Sequence, residues 1–280
     1  MESKPQSESI HTRRDFLGTS ASCAAYITGL LGAGPGALRV FGPARGAVVR
    51  QEPWGRVEQV AEGVWAIISA PLEDRTTLCN GGFIAGRNGV LAVEAFASTR
   101  GSQWAAEQAR ALTGRWPTHV ILSHYHGDHS SGVAGYVSDT DHPAIHATVE
   151  TRNRVLETDR RRDTGADPER SRVLAGAQII DPDRETELDL GGRRVRIVPR
   201  VGHTSSDVTV ELEDPSVVFC GDLVWNGMFP NYVDAIPSQL SKSVRDLIRS
   251  RETVYVPGHG RLGGGIDLAT FVLCREAQHQ

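Results

Sequence analysis

The sequence predicts an α/β chain in which strands outnumber helices and the helices lie between and outside them. Three observations support this. Short apolar or β-branched runs recur from residue 59 onward, separated by Gly, Asn and Asp turn signals. Apolar residues at helical spacing stand between some of these runs, around Trp104, Ala105, Ala109 and Leu112 and again over Ser238 to Arg249. Several runs end on or just before a histidine or an aspartate, the place where open α/β sheets hold their ligands.

Composition bounds the function. The chain has 280 residues, 39% hydrophobic and 23% charged, enough for one large domain or two small ones. Net charge is −4 and no basic stripe is present, which argues against a nucleic-acid groove. Arg160-Arg161-Arg162 reads as a solvated helix end. The four cysteines, at 23, 79, 220 and 274, form no CxxC pair, so neither a disulfide framework nor a cysteine zinc site follows from them.

In chain order, residues 1–47 read as a leader and linker. Thr12-Arg13-Arg14-Asp15-Phe16-Leu17 resembles a twin-arginine export signal, and Phe16 to Leu38 carries no Asp, Glu, Lys or Arg. A transmembrane anchor is the alternative, disfavoured by the Gly, Ser and Thr content of that stretch. The expectation is a periplasmic or secreted protein with no stable membrane insertion once the leader is removed. Residues 48–280 would form the domain.

Gln59 to Ser69 reads as two strands with a Glu62-Gly63 turn. Cys79 to Ala85 and Val90 to Glu94 read as a hairpin closed by Gly86-Arg87-Asn88-Gly89. Ser102 to Leu112 is helical, and Thr118 to Leu122 is a buried strand. A helix is expected to start within Ser130 to Tyr136, a strand at Ala144 to Ala147 and a helix from Thr148 to about Asp159. Arg160 to Arg172 reads as a polar surface segment. Strands follow at Gln178 to Ile180, Glu187 to Leu190, Arg194 to Val198, Val208 to Leu212, Val217 to Cys220 and Thr253 to Val256.

The chemistry is concentrated in Leu122-Ser123-His124-Tyr125-His126-Gly127-Asp128-His129. A strand here delivers three histidines and a carboxylate into one turn, and neutral imidazole and carboxylate are ligands that suit a borderline-soft divalent ion such as zinc. In extended chain His124 and His126 point to the same side and reach one ion; past Gly127 the chain turns, and Asp128 and His129 face a second position. A histidine-rich surface loop is the bland alternative. Of the remaining histidines, His11 and His279 read as solvated, His119 and His142 as surface or packed polar residues, and His146 is unassigned.

This stretch resembles the HxHxDH signature of the metallo-β-lactamase-fold hydrolases. Gly202-His203-Thr204, Gly221-Asp222-Leu223 and Pro257-Gly258-His259-Gly260 follow in that family's order. The resemblance covers roughly residues 55 to 262. It implies an αβ/βα four-layer sandwich of two mixed β-sheets flanked by helices, with the metals at one edge. It also implies that His124, His126 and His203 hold one ion, that Asp128, His129 and His259 hold a second, and that Asp222 bridges them. The expected cofactor is two Zn2+ per chain, with Fe or Mn as substitutes. Glu94 stands where the family usually carries an Asp and is expected to have a supporting or buried-polar role.

The resemblance further implies a binuclear zinc hydrolase in which a metal-bridging hydroxide attacks a small ester, lactone or related substrate, with Asp128 and Asp222 as the catalytic carboxylates. Asn231 and Tyr232, within Trp225 to Asp234, are candidates for substrate contact. The lactamases of the family usually have Cys or Ser where this chain has Asp222. Only 21 residues follow His259, where the glyoxalase II-like thioesterases carry a further helical domain. The chain looks most like exported zinc hydrolases associated with quinoprotein and sulfur-oxidation gene clusters. An iron-dependent sulfur dioxygenase, a β-lactamase and a non-catalytic metal-binding protein are the alternatives.

Overall fold

Chain order and sheet order coincide in the first sheet. The computed structural model describes residues 46–161, 167–250 and 252–265, all within the unit Pro43–Ala269. Eight strands stand side by side: β1 (Ala47–Glu52), β2 (Gly55–Ala61), β3 (Val64–Ser69), β4 (Gly81–Ala85), β5 (Val90–Val93), β6 (His119–Ile121), β7 (Ala144–Thr148) and β8 (Gln178–Ile180). β1 to β5 are antiparallel neighbours. β5 to β8 pair in parallel and therefore need crossovers. These contain α1 (Thr99–Thr113), α2 (Gly127–Ser130) with a 3-10 turn (Val133–Tyr136), and α3 (Val149–Arg161) with α4 (Pro168–Ala175).

The second sheet has the order β13-β12-β11-β10-β9, built from β9 (Thr186–Asp189), β10 (Arg194–Arg200), β11 (Asp207–Leu212), β12 (Val217–Asn226) and β13 (Val254–Gly260). Its strands are antiparallel except for the parallel pair β12 and β13, between which runs α5 (Pro237–Leu247). Both sheets are thus mixed.

Alternation along each strand supplies two apolar faces. Ala66, Ile68, Ile84, Leu91 and Ile121 of the first sheet pack against Val195, Ile197, Val210, Phe219 and Val256 of the second. On the other face of the first sheet, Trp65, Phe83, Ala92, Val120 and Ile145 meet Trp104, Ala105 and Ala109 of α1 and Val155 and Leu174 of α3 and α4. Each fully buried Leu, Ile or Phe here contributes about 1.5–3 kcal/mol. In α5, Leu240, Val244 and Leu247 are buried. The architecture is the expected one: two mixed sheets flanked by helices.

Several elements differ from the sequence reading. β1 was not expected. α1 begins at Thr99, because Ser98 caps it by accepting from the Gly101 N–H. The helix expected from Ser130 is split: α2 begins at Gly127 and contains Asp128 and His129, and the 3-10 turn follows. Of the polar segment Arg160 to Arg172, residues 162–166 lie outside the described residues. The remainder is ordered into the end of α3 and the start of α4, where the Asp167 carboxylate accepts from the N–H groups of Glu169 and Arg170. Arg170 is buried and forks onto Asp159, with Nη1 donating to Ser131 Oγ at 3.0 Å. β12 and β13 run on through Asp222 and His259 rather than ending before them, with register shifts at Gly221 and Trp225. The leader assigned to residues 1–47 lies outside the described residues except for Gly46 and Ala47. Among the described residues no helix is long and apolar enough to cross a membrane.

Candidate metal centre

β6 ends at Ile121. The chain continues through His124 to His126, which is still extended at φ −62° and ψ 148°, before α2 turns it. One helical turn then presents Asp128 and His129. From the facing sheet, the β10–β11 connection brings His203, β12 brings Asp222 and β13 brings His259. Four chain segments meet at one edge of the sandwich.

The seven side chains form two groups. His124, His126, His203 and Asp222 make one; Asp128, His129 and His259 make the other; within each group the offered atoms lie within 4.8 Å of one another. Asp222 reaches both. Its Oδ2 is 3.3 Å from His203 Nε2 and 3.9 Å from His124 Nε2. Its Oδ1 is 3.0 Å from His129 Nε2 and 3.4 Å from His259 Nε2. His126 Nδ1 faces His203 Nε2 at 3.0 Å, and His259 Nε2 faces Asp128 Oδ2 at 3.1 Å.

These atoms fit a pair of cations. His124 Nε2, His129 Nε2, His259 Nε2 and Asp222 Oδ1 are buried without an aligned hydrogen-bond partner. Leaving such an atom unpaired costs about 1–3 kcal/mol, and native proteins hold few of them. Here they converge, and a divalent ion at each focus satisfies all of them with the ligand types zinc prefers.

The charge states are set by burial and by neighbours. Burial drives His124 well below its ordinary value and His203 down to about 4, so both imidazoles are neutral at pH 7. For His129 and His259 burial is outweighed by the adjacent carboxylates: His129 is raised well above the ordinary range by Asp222 and its neighbours, and His259 to about 9 by Asp128 and Asp222. Burial opposes ionisation of Asp222 and Asp128, but the facing histidines outweigh it. Asp222 is held well below the usual carboxylate range and Asp128 at about 2.

A second layer of residues holds these rings in place. Ser123 Oγ lies 2.9 Å from His124 Nδ1. Glu94, almost fully buried, places Oε1 3.1 Å from His129 Nδ1 while its Oε2 accepts from the Ser123 N–H at 3.3 Å. Its backbone has φ +76°, a conformation non-glycine residues avoid. Its carbonyl accepts from the Tyr136 hydroxyl at 2.9 Å. Asp207 accepts from the N–H groups of His203 and Thr204, fixing the loop that carries His203, and burial lifts its carboxyl to about 7. Asn80 Nδ2 donates to the carbonyls of Pro257 and Gly260, clamping both sides of His259. The Trp225 ring lies 4.1 Å from that of His259.

A family model places this geometry. The metallo-beta-lactamase superfamily matches residues 76–259, well over half of the chain. The chain belongs to that superfamily. A hydroxyacylglutathione hydrolase of Glaesserella parasuis is 29% identical over 111 residues, 40% of this chain and 37% of that one. One from Parasynechococcus marenigrum is 28% identical over 144 residues, 49% of each. The chain thus spans half or less of the length of these two curated relatives. Among solved structures, a metallo-beta-lactamase from Pontibacter korlensis superimposes with a TM-score of 0.64 at 17% identity, covering 81% of this chain and 100% of that one. One from Hirschia baltica gives 0.61 at 19% identity, covering 80% and 98%. At these identities the likeness is one of fold.

Other residues singled out from the sequence sit differently around this superfamily centre. Asn231 is exposed, and its Oδ1 accepts from the Val233 N–H. Tyr232 packs edge-on against Phe229, with ring centroids 6.0 Å apart. Asp234, at the end of the same segment, touches the cluster: its Oδ2 is 2.9 Å from His126 Nε2. It closed the segment read from the sequence but was not singled out there. His119 and His146 face each other, Nδ1 to Nε2, at 3.1 Å. Cys79 and Cys220 are buried free thiols, both pushed up by burial, Cys79 to about 12. His11, His279 and Cys274 lie outside the described residues.

Proposed function

We propose that this superfamily member is a metal-dependent hydrolase that holds two zinc ions and cleaves a small ester, lactone or thioester. The observation behind this reading is the convergence of seven ligand-type side chains in two groups joined by Asp222. His124, His126 and His203 would hold one ion, Asp128, His129 and His259 the other, and Asp222 both. Bound there, the ions supply a nucleophilic water at neutral pH and polarise a carbonyl.

The chain's own residues do the rest. Ser123 and Glu94 fix the rings of His124 and His129 through the nitrogens that face away from the focus. Asp222, buried and ionised, ties the two groups together. Asp128, with a side chain 28% exposed, is the carboxylate that opens to solvent. Ionised down to about pH 2, it can accept a hydrogen bond from the attacking water and orient it. The curated relatives' printed activity, hydrolysis of hydroxyacylglutathione, supports a carbonyl substrate of this kind.

Metal analysis of purified protein tests the reading. Two zinc ions per chain are expected, with hydrolysis abolished in His126→Ala and Asp222→Ala and metal loosened in the latter. One tightly bound ion in fully active protein would sink the binuclear reading.

We also propose export through the twin-arginine route, from Arg13-Arg14 ahead of an uncharged stretch. Replacing both arginines with lysine is expected to leave the protein in the cytoplasm. A double variant still found in the periplasm would show the leader assignment to be wrong.

A further inference from the structure

The loop between β12 and α5 has little apolar anchorage of its own. Met228, Phe229, Val233 and Ile236 are exposed, Phe229 by 68% and Val233 by 84%. Its two ends are fastened. Asn226 Nδ2 donates to the carbonyls of Arg261 and Leu262, and the Ile236 N–H donates to the Gly202 carbonyl at 2.8 Å, beside His203. Between these ends, Asp234 reaches across 108 residues of sequence to His126. The same carboxylate takes the Tyr125 hydroxyl, and the Arg154 guanidinium stands over the Tyr125 ring at 5.4 Å.

The ring of His126 gives this contact its meaning. Its Nδ1 faces His203 Nε2 and belongs to the group with His124 and Asp222. If Nδ1 is the ligand atom, Nε2 must carry the proton, and a carboxylate on Nε2 selects that tautomer and makes Nδ1 more basic. His126 has a side chain 20% exposed, whereas those of His124, His129 and His203 are 1% exposed or less. Packing therefore holds the other three rings, and His126 lacks that support. As an ordinary surface contact the pair would contribute little.

We infer that Asp234 is a positioning residue that holds the His126 ring with Nδ1 toward the metal and, by the same bond, clasps the loop 227–236 against the centre. This rests on the two-ion reading above. Loop and ligand are then coupled: an ion on Nδ1 strengthens Nε2–H as a donor and tightens the clasp.

The test measures zinc affinity, by competition with a chromophoric chelator, on full-length protein. Asp234→Ala is expected to weaken the ion of the His126 group by roughly 10- to 100-fold, the usual cost of losing a ligand's outer partner, and the other ion by less than about threefold. Asp234→Asn, which still offers an acceptor oxygen, should lose less. In a His126→Ala background, Asp234→Ala should have no further effect on affinity. Amide hydrogen exchange across residues 227–236 should quicken in zinc-loaded Asp234→Ala. Wild-type affinity for both ions in Asp234→Ala overturns the inference, and so does equal weakening of the two. If the unsubstituted protein takes up no zinc, the proposed function falls and this inference with it; two ions in the unsubstituted protein with an unaffected variant sink the inference alone.

Discussion

Gly258 shows how narrowly the centre is built. A Cβ at this position would lie 1.9 Å from Asp222 Oδ1 and 2.8 Å from the Gly221 carbonyl carbon. Its φ is not in the left-handed region, so the requirement is for space alone. Gly258→Ala is therefore expected to displace the Asp222 carboxylate, the group that joins the two sets of ligands. Misplacement of a reacting group by about 1 Å can cost on the order of 10²-fold in rate, and hydrolysis should fall by at least that much while far-UV circular dichroism stays unchanged. Zinc content after dialysis should drop with it. Retention of two ions at the wild-type rate would show that Asp222 is not the joint. Other single-residue supports were hard to read from sequence. Glu94 was legible as a supporting group through the family resemblance, which has an Asp at its place, but its positive φ and its contact with His129 were not. Asn80 was hidden inside a strand reading, since its partners Pro257 and Gly260 lie 177 and 180 residues away.

At the scale of elements, legibility followed local chemistry. The β2–β3 and β4–β5 hairpins were readable because Glu62-Gly63 and Asn88-Gly89 mark their turns, with Gly63 at φ +68°. β1 was not, because Ala47–Glu52 is an edge strand with mostly exposed residues and no clean alternation. α4 was missed although its signals were present: Asp167 followed by Pro168 is a helix start. The polar composition there reads as a surface segment, yet Arg170 is buried against Asp159 and bonded to Ser131, next to the turn that carries Asp128 and His129. Of the candidate ligands, those from His124 to His129 were legible from residue type and spacing, and His203, Asp222 and His259 through the short motifs that carry the family resemblance. Asp207 was not, because its hold on His203 and Thr204 stands in no recognisable motif, and Asp234 was not, because its partner His126 lies 108 residues away and is met only when the two sheets come together.

At the scale of the molecule, two facing sheets bring the β6 turn of one to the strand ends and connections of the other, and the resulting centre bears on the choice of substrate. The superfamily's lactamases usually carry Cys or Ser where this chain has Asp222, and the solved lactamases resemble this chain at the level of fold. The sequence relatives are hydroxyacylglutathione hydrolases. Chemistry points the same way. An amide nitrogen is a poor leaving group and needs a proton as the bond breaks, whereas an alkoxide or thiolate leaves more readily. Asp128 is the solvent-facing carboxylate of the cluster, and with its carboxyl at about 2 it carries no proton at neutral pH. So weak a base collects little of the attacking water's proton, and an alkoxide or thiolate can leave without one where an amide nitrogen cannot. We therefore expect kcat/KM for the best ester, lactone or thioester to exceed that for any penicillin or carbapenem by at least about tenfold, or roughly 1.4 kcal/mol of transition-state free energy. Steady-state rates on a matched panel decide the matter. A β-lactam turned over faster than every ester, lactone and thioester would overturn the preference and shift attention to a proton donor other than Asp128.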